Sequence, residues 1–203
     1  MILTRFADDY IAGFEHRDDA ERLLAELRDR FAKFNLELHP DKTRLIEFGR
    51  FAAERRAGRG LRKPETFEFL GLTHICAKSR TGQFMVKRVT SKKRMQAKLS
   101  EVKTELMRRR HLPIPEQGRW LASVIRGHCN YYAVPSNSDA IIQFRTQATR
   151  HWCWALRRRS QRHRLDWERM NRLANRWLPP ARLVHPYPEA RFDARTQGRS
   201  PVR

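Results

Sequence analysis

The spacing of apolar and polar residues changes near residue 89 of this 203-residue chain. Before that point, short stretches of alternating residues lie between turn residues and predict strands. The exception is 19–34, where apolar residues at helical spacing predict an amphipathic helix with a capping box of Asp18 and Glu21 at its start and Asn35 at its end. The predicted strands are a hairpin over 1–15 and the segments 36–38, 43–48, 67–72 and 84–86, with an exposed loop over 49–66 and a hairpin turn over 81–83.

Beyond residue 89, apolar residues recur every three or four positions, which predicts helices. Pro115 suits the first position of one of them, because its fixed φ fits the start of a helix. From Pro179 onward the chain is rich in Pro and Arg without periodicity, which predicts a loose tail. The expected fold is α+β, a small antiparallel β part followed by an all-α part, with helices over about 95–106, 120–132, 141–155 and 167–173.

The net charge of the chain indicates the kind of partner that it binds. The chain has 43 Lys and Arg against 22 Asp and Glu, a formal net charge of +21. Residues 1–50 hold 9 basic and 11 acidic side chains, so the whole positive excess lies beyond residue 50. A charge of this size favours a polyanion such as RNA. A single charge run is usually a solvated face, but three clusters favour phosphate binding: Lys92, Lys93 and Arg94; Arg108, Arg109 and Arg110; Arg157, Arg158 and Arg159, with Arg162 and Arg164 beside them.

Cysteine usage and hydropathy narrow the class of protein. Cys76, Cys129 and Cys153 are far apart and form no C-x-x-C pair, which argues against a zinc ribbon or a disulfide framework and favours reduced core thiols. No apolar stretch approaches the roughly 18 residues of a membrane span, and charges at Arg5 and Asp8 interrupt any signal-peptide core. We expect a cytoplasmic, bacterial-type protein associated with nucleic acid and not with a membrane; its oligomeric state is not predicted.

Two adjacent carboxylates, Asp8 and Asp9, follow Phe6 and Ala7 at the predicted hairpin turn. Like charges so close repel each other, so a cation between them would stabilise the arrangement. Two divalent metals in a phosphoryl-transfer site are one explanation. A solvated acidic turn is the alternative, and the four residues alone do not decide between the two.

Two further motifs follow in the first part. Residues 36–43 end in a turn that carries Lys42, either an ordinary exposed lysine or a cation aimed at nucleotide phosphates. Residues 67–72 read Phe-Glu-Phe-Leu-Gly-Leu, either a buried strand with a glycine bulge or a ribbon that supports a nucleic-acid backbone.

The aromatic residues of the helical part divide into two groups. Trp120, Tyr132 and Trp152 lie on apolar stripes and are expected in the core. Tyr131 and Trp154 lie off those stripes and are expected to be exposed, where aromatic rings stack on bases.

A fourth motif, G-x-x-N-Y-Y, lies at residues 127–132. In order and spacing the first three motifs resemble the later palm motifs of a reverse transcriptase, and the alanine before the two aspartates is the form typical of group II intron proteins. The G-x-x-N-Y-Y segment is similar to the signature of their maturase domain, also called the thumb or X domain. The chain thus resembles a group II intron-encoded reverse transcriptase/maturase over residues 2 to about 177.

The resemblance implies RNA-templated DNA synthesis with Mg²⁺, and assistance to intron splicing. It implies a partial palm over 1–88, a thumb/maturase domain over 89–178 and a basic tail over 179–203, with group II intron RNA and a DNA primer or target as partners. The implied roles are metal ligands for Asp8 and Asp9, a catalytic phosphate-side lysine for Lys42, a primer grip for Phe69, Leu70 and Gly71, and RNA contacts for the three basic clusters, His128, Asn130 and Tyr131.

The family's palm needs another catalytic aspartate on an earlier strand, and fingers that bind template and nucleotide. We therefore expect these 203 residues to be an N-terminally truncated piece that is inactive as a polymerase by itself. The alternative is an RNA-binding maturase module without polymerase chemistry. For His128 and Asn130, a hydrogen-bonded pair that fixes the helix end is as consistent with the sequence as RNA contact.

Overall fold

A computed structural model describes residues 1–159 and 165–187. The chain divides into two compact units, residues 1–65 and the part that begins at Thr66. Across the described ranges the fold is α+β, with two small antiparallel sheets and six helices, which confirms the predicted fold class. No helix in these ranges has the length and apolar character needed to cross a bilayer.

The first unit is a hairpin followed by two helices. Strands β1 (Ile2–Phe6) and β2 (Asp9–Gly13) pair antiparallel, with Phe6 opposite Asp9. Helix α1 (Arg17–Ala32) confirms the predicted amphipathic helix, and α2 (Ala52–Gly58) lies inside the segment predicted as a loop. The loop prediction is therefore wrong there, because its glycines and arginines concealed a short run of the helix formers Ala, Glu and Arg.

Helix α1 ends as predicted but does not begin as predicted. Asn35 has a φ of 54°, and the N–H groups of Asn35 and Leu36 donate to the carbonyls of Ala32 and Phe31, the two bonds of a Schellman motif. The N-cap is His16, without a side-chain cap hydrogen bond, so the predicted capping box is wrong.

The predicted strands over 36–38 and 43–48 are also wrong. Neither segment belongs to a sheet, and residues 1–65 contain only the β1–β2 pair. Alternating apolar residues form a strand only where a neighbouring strand accepts and donates the backbone hydrogen bonds.

The first unit buries few apolar side chains. In residues 1–65, all of which are described, only Ala52 is buried, whereas Ile2, Phe6 and Phe34 are each more than 60% exposed. An isolated two-stranded hairpin is at best marginally stable in water. The hairpin is therefore held chiefly by its own backbone ladder.

The second unit begins with a three-stranded sheet of β3 (Phe67–Phe69), β4 (Leu72–Lys78) and β5 (Phe84–Thr90), in that order and antiparallel. Leu70 and Gly71 form the two-residue turn between β3 and β4, with Phe69 opposite Leu72. Both turn residues have positive φ, 51° and 73°, as a type I′ hairpin turn requires. The predicted hairpin turn over 81–83 is confirmed.

Four helices follow, which confirms the helical spacing read after residue 89. They are α3 (Lys92–Arg108), α4 (Ile114–Tyr132), α5 (Ser138–Arg157) and α6 (Trp167–Trp177), with Pro115 in the first turn of α4. Their apolar faces meet in one core that contains Leu106 of α3, Ile125 of α4, Trp152 of α5 and Met170 of α6, each fully buried. The core gives the second unit a rigid scaffold on which surface residues are fixed.

The units divide after Glu65, whereas the sequence places the end of the first functional part at residue 88. The domain assignment to 1–88, 89–178 and 179–203 stays a prediction. Residues 179–187 have no helix or strand, but the N–H groups of Val184 and His185 donate to the carbonyl of Ala133. Residues 188–203 of the predicted tail, and Arg162 and Arg164, lie outside the described residues.

Candidate nucleic-acid interface

The two predicted metal ligands lie at the exposed end of the β1–β2 hairpin. Ala7 and Asp8 form the two-residue loop, and Asp9 begins β2. Ala7 has a φ of 53°, as the first loop residue of a type II′ turn does, and Arg5 Nε donates to its carbonyl at 2.8 Å. The short loop thus fixes both carboxylates at one exposed end of the hairpin.

Lys42 lies in a turn of the same unit, where its N–H donates to the carbonyl of His39 at 3.2 Å. The side chain is exposed. Within residues 1–65, no hydrogen bond or ion pair joins Lys42 to Asp8 or Asp9. The catalytic roles of these three residues stay predictions.

A two-metal site needs more oxygen ligands than two adjacent carboxylates supply, because each Mg²⁺ prefers octahedral coordination. Among the described residues, no group of three or more His, Cys, Asp and Glu side chains is arranged to hold a metal ion. The donors around Asp8 and Asp9 therefore do not fit the implied pair of Mg²⁺ ions, and we derive no catalytic step through them.

The predicted primer grip is in direct contact with the G-x-x-N-Y-Y motif. Tyr131 Oη, at the end of α4, donates to the carbonyl of Leu70 at 2.9 Å. A Cβ added at Gly71 would lie only 2.7 Å from Tyr132 Oη, so the turn fits against this ring because residue 71 has no side chain. Two consecutive tyrosines of α4 thus hold the turn at residues 70 and 71.

A buried asparagine ties the same sheet to the helices. Asn137 is 1% exposed; its Oδ1 accepts from the N–H of Thr90 at 2.9 Å, and its Nδ2 donates to Thr90 Oγ1 and to the carbonyl of Tyr132, each at 2.7 Å. Next to it, Ser91 N donates to the carbonyl of Gly71 at 2.9 Å. The end of β5, the end of α4 and the β3–β4 turn are therefore one hydrogen-bonded assembly.

His128 and Asn130 have different environments. His128 is 7% exposed and stacks on Phe144 with ring centroids 3.7 Å apart, while its Nε2 has no hydrogen-bond partner. Desolvation, with a smaller contribution from Lys98, lowers the pKa of His128 to about 4. Asn130 is exposed. The two side chains do not form the hydrogen-bonded pair that was the alternative to RNA contact.

The first basic cluster, Lys92, Lys93 and Arg94, opens α3. All three side chains are exposed, and none forms an ion pair with another residue of the described ranges. Positive charges at a helix N-terminus are destabilised by the helix dipole, because its positive end lies there. An anion bound there would offset that repulsion, and the three exposed side chains have no carboxylate partner among the described residues that would compete with it.

The second cluster is partly engaged within the chain. Arg108 and Arg109 both form ion pairs with Glu105. Hydrogen bonds from both guanidinium groups to the Glu105 carboxylate lower its pKa to about 2. Arg109 also lies over the ring of Trp120, 5.1 Å from its centroid. Arg110 donates to His111 at 2.9 Å. Part of this positive charge is therefore neutralised by a carboxylate.

The third cluster contains two structural arginines. Arg157 donates twice to the carbonyl of Leu165, at 2.6 and 2.8 Å, and Arg159 donates to the carbonyl of Leu112 at 2.8 Å. Arg158 instead lies over the exposed ring of Trp154, 4.6 Å from its centroid. A substitution at Arg157 or Arg159 would therefore disturb the fold as well as any RNA contact.

The predicted division of the aromatic residues into core and exposed groups is confirmed. Trp152 is fully buried, and Trp120 and Tyr132 pack partly buried against the core. Tyr131 and Trp154 are 51% and 38% exposed.

Sequence comparison now identifies the first part of the chain. Residues 1–74 match the family model for reverse transcriptase (RNA-dependent DNA polymerase). The match supports a reverse transcriptase domain, and it includes the carboxylates at the hairpin, Lys42 and the β3–β4 turn. It does not extend to the four helices α3 to α6. No curated protein and no solved structure matches the chain.

Sequence reasoning missed the residues that join distant segments. Asn137 was not singled out, and neither was Gln117, which is fully buried and accepts from Trp152 Nε1 at 2.9 Å. The Pro-Ser-Asn-Ser run at 135–138 is a turn and helix-start signal, but it does not reveal a partner 47 residues away. Asn137 joins the end of α4, which carries the tyrosines, to the sheet that contains the Leu70–Gly71 turn.

Proposed function

We propose that the protein is an RNA-directed DNA polymerase of a group II intron, with maturase-type binding of the intron RNA by its helices. The observation that carries the proposal is the contact of Tyr131 and Tyr132 with the Leu70–Gly71 turn. It joins a motif of the reverse transcriptase segment to the motif that resembles the maturase signature. In this proposal Phe69, Leu70 and Gly71 form the primer grip, and the tyrosines position it.

The same proposal assigns RNA contact to the helical surface. The exposed cations at the start of α3 and the exposed Arg158 supply positive charge on a rigid four-helix core. Phosphate contacts of this kind fix the position of an RNA without reading its sequence. Tyr131 keeps an exposed ring face while its hydroxyl is bonded to Leu70, so it can support the primer grip and meet RNA at once.

Asp8, Asp9 and Lys42 have the catalytic roles in the polymerase reaction. This chain's contribution is to present the two carboxylates on a short hairpin loop braced by Arg5.

A second candidate function is an RNA-binding module that aids splicing without polymerase chemistry. The observation that favours it is the donor set at the hairpin, where no third side-chain ligand joins Asp8 and Asp9 among the described residues. For the 203 residues by themselves we therefore propose RNA binding without appreciable polymerase activity.

Binding of a group II intron RNA tests the shared part of both candidates. The purified chain is titrated against that RNA and against a same-length RNA of unrelated fold, each with excess tRNA as competitor. We expect tighter binding to the intron RNA. Equal affinity for the two RNAs would contradict the maturase assignment.

Primer extension separates the two candidates. The purified chain is incubated with an RNA template, a DNA primer, deoxynucleotides and Mg²⁺, with Asp8→Ala as the matched variant. We expect no extension from either protein and equal RNA binding by both. Extension that Asp8→Ala abolishes would contradict the proposal that these residues alone lack polymerase activity.

A further inference from the structure

A cleft lies between α5 and α6 and is lined mainly by polar and cationic side chains. It has a volume of about 360 Å³, near the lower end of small-molecule sites. Thr146 and Thr149 contribute to its wall, and no carboxylate lines it. Its ligand-facing chemistry comes from one aromatic, two cationic and two amide side chains: Trp167, Arg145, Arg150, Asn171 and Asn175.

The aromatic side of the cleft is a tryptophan that does not belong to the core. Trp167 begins α6 and is 46% exposed, whereas Trp152 of the neighbouring helix is fully buried. An exposed indole beside a cleft offers a flat surface for a planar ligand. Bases of single-stranded RNA stack on such rings, and every base has a π-face to offer.

The polar side of the cleft is partly preorganised. Arg145 Nε donates to the carbonyl of Pro179 at 2.9 Å, and its Nη2 makes a longer bond to Asn175 Oδ1 at 3.4 Å. This bond turns the amide so that its Nδ2 donors are left for a ligand. Arg150 and Asn171 are exposed and have no ion pair or side-chain hydrogen bond with another residue of the described ranges.

We propose that this cleft binds one unpaired nucleotide of an RNA strand, with the base against Trp167, amide groups of Asn171 and Asn175 at its edge, and Arg150 at a phosphate. The proposal rests on the RNA binding proposed above and names a site for it. It adds a contact that depends on an unstacked base, whereas the basic cluster at the start of α3 recognises phosphate alone.

Charge and shape favour a nucleotide over an acidic peptide. An acidic side chain would pair with the arginines but would leave the indole and the two amides without a matching partner. A nucleotide has a flat ring, donors and acceptors at its edge and an anionic phosphate, one for each of the three kinds of side chain in the cleft. A duplex has no unpaired base to insert, so it serves as the discriminating ligand.

The test measures binding of the full chain to a fluorescein-labelled 12-nucleotide single-stranded RNA and to a 12-base-pair RNA duplex. Trp167→Ala should weaken binding to the single strand at least about 5-fold, the lower end of one base–aromatic stack, and leave duplex binding within about 2-fold. Trp167→Phe, which keeps a ring, should restore most of the affinity. Tyr187→Ala is the matched control, because Tyr187 is also an exposed aromatic residue but lies outside the cleft.

Arg150→Gln provides a second readout that leaves the indole in place. It should weaken single-strand binding, leave duplex binding within about 2-fold, and reduce the single-strand slope of log affinity against log salt by about 0.7, the value for one phosphate contact. Circular dichroism checks that each variant is folded, and Trp167→Phe and Arg150→Gln keep the proposal testable if Trp167→Ala unfolds.

Several outcomes would overturn the cleft proposal while RNA binding stands. They are an unchanged single-strand affinity in Trp167→Ala, an equal loss in Tyr187→Ala, or an equal loss of duplex binding in Trp167→Ala. Displacement of the RNA by a glutamate-rich peptide that itself needs Trp167 would assign the cleft to a protein partner instead. If the unmodified chain binds neither RNA, the proposed function fails and the cleft proposal fails with it.

Discussion

Asn137→Ala tests the tie between the sheet and the helices of the second unit. The substitution removes three hydrogen bonds, one accepted from the N–H of Thr90 and two donated to Thr90 Oγ1 and the carbonyl of Tyr132. Both Asn137 and Thr90 are buried, at 1% and 3% exposure. Water therefore cannot readily replace the lost partners.

The cost follows from the group left without a partner. The Thr90 hydroxyl can rotate, and the carbonyl of Tyr132 still accepts from the N–H of Val134 at 2.7 Å, but the Thr90 N–H has a fixed direction and loses its acceptor. A buried polar group that loses its partner costs about 1–3 kcal/mol. One such group predicts a loss of about 2 kcal/mol in the free energy of unfolding, which for a chain of this size lowers Tm by about 4–8 °C.

Urea unfolding followed by tryptophan fluorescence measures this loss. All five tryptophans lie beyond residue 65, so the signal reports on the second unit alone. Asn130→Ala is the matched control, since that side chain is exposed near the end of α4, whereas Asn137 is the buried N-cap residue of α5. It should change stability by less than about 0.5 kcal/mol. A loss below about 1 kcal/mol in Asn137→Ala, or equal losses in the two variants, would refute the reasoning.

Three further predictions concern the same unit. Gly71→Ala should destabilise this unit by at least about 1 kcal/mol more than Gly82→Ala, because both glycines have positive φ but only a Cβ at residue 71 meets Tyr132 Oη. Urea unfolding of the two variants measures the difference, and equal losses would contradict the close approach. Folding lowers the pKa of His128 from 6.5 to about 4, so the buried ring must stay neutral. The free energy of unfolding should therefore be highest above pH 6.5 and fall by up to about 3 kcal/mol as the pH drops toward 4. Urea midpoints measured against pH test this, and the same pH dependence in a His128→Leu variant would contradict it. Gln117→Leu should cost about 2–4 kcal/mol in urea unfolding, because its side chain bonds two carbonyls and an indole N–H inside the core, and an unchanged midpoint would show that these groups find other partners.

The helices and hairpins were predictable because their signals are local. The period of apolar residues located α1 and the four later helices, and the turn residues at 81–83 located the hairpin of β4 and β5. The segment 67–72 was predicted as one strand, which is wrong, because the chain turns at Leu70 and Gly71. The segments 36–38 and 43–48 show the limit of such signals. Their alternation was read correctly, but a strand also needs a partner, and one sequence does not say whether a partner is present.

The candidate site was predictable only as a list of residues. The sequence indicated Tyr131 as an exposed aromatic but not that its hydroxyl bonds Leu70, 61 residues away. It indicated Arg157 and Arg159 as RNA contacts, whereas in the structure each side chain also donates a hydrogen bond to a backbone carbonyl. Charge runs reveal how many cations are present, but only the fold shows which of them are already engaged.

The most direct test of RNA binding by the helices is the salt dependence of affinity for a group II intron RNA. The matched variant is Lys92→Gln, Lys93→Gln and Arg94→Gln combined, which leaves the ion pairs of the described residues intact. We predict a steep fall of affinity with salt in the unmodified chain, and a slope smaller by about 2–3 in the variant, since each lost phosphate contact removes about 0.7–0.9. An affinity independent of salt, or the same slope in both proteins, would contradict the account.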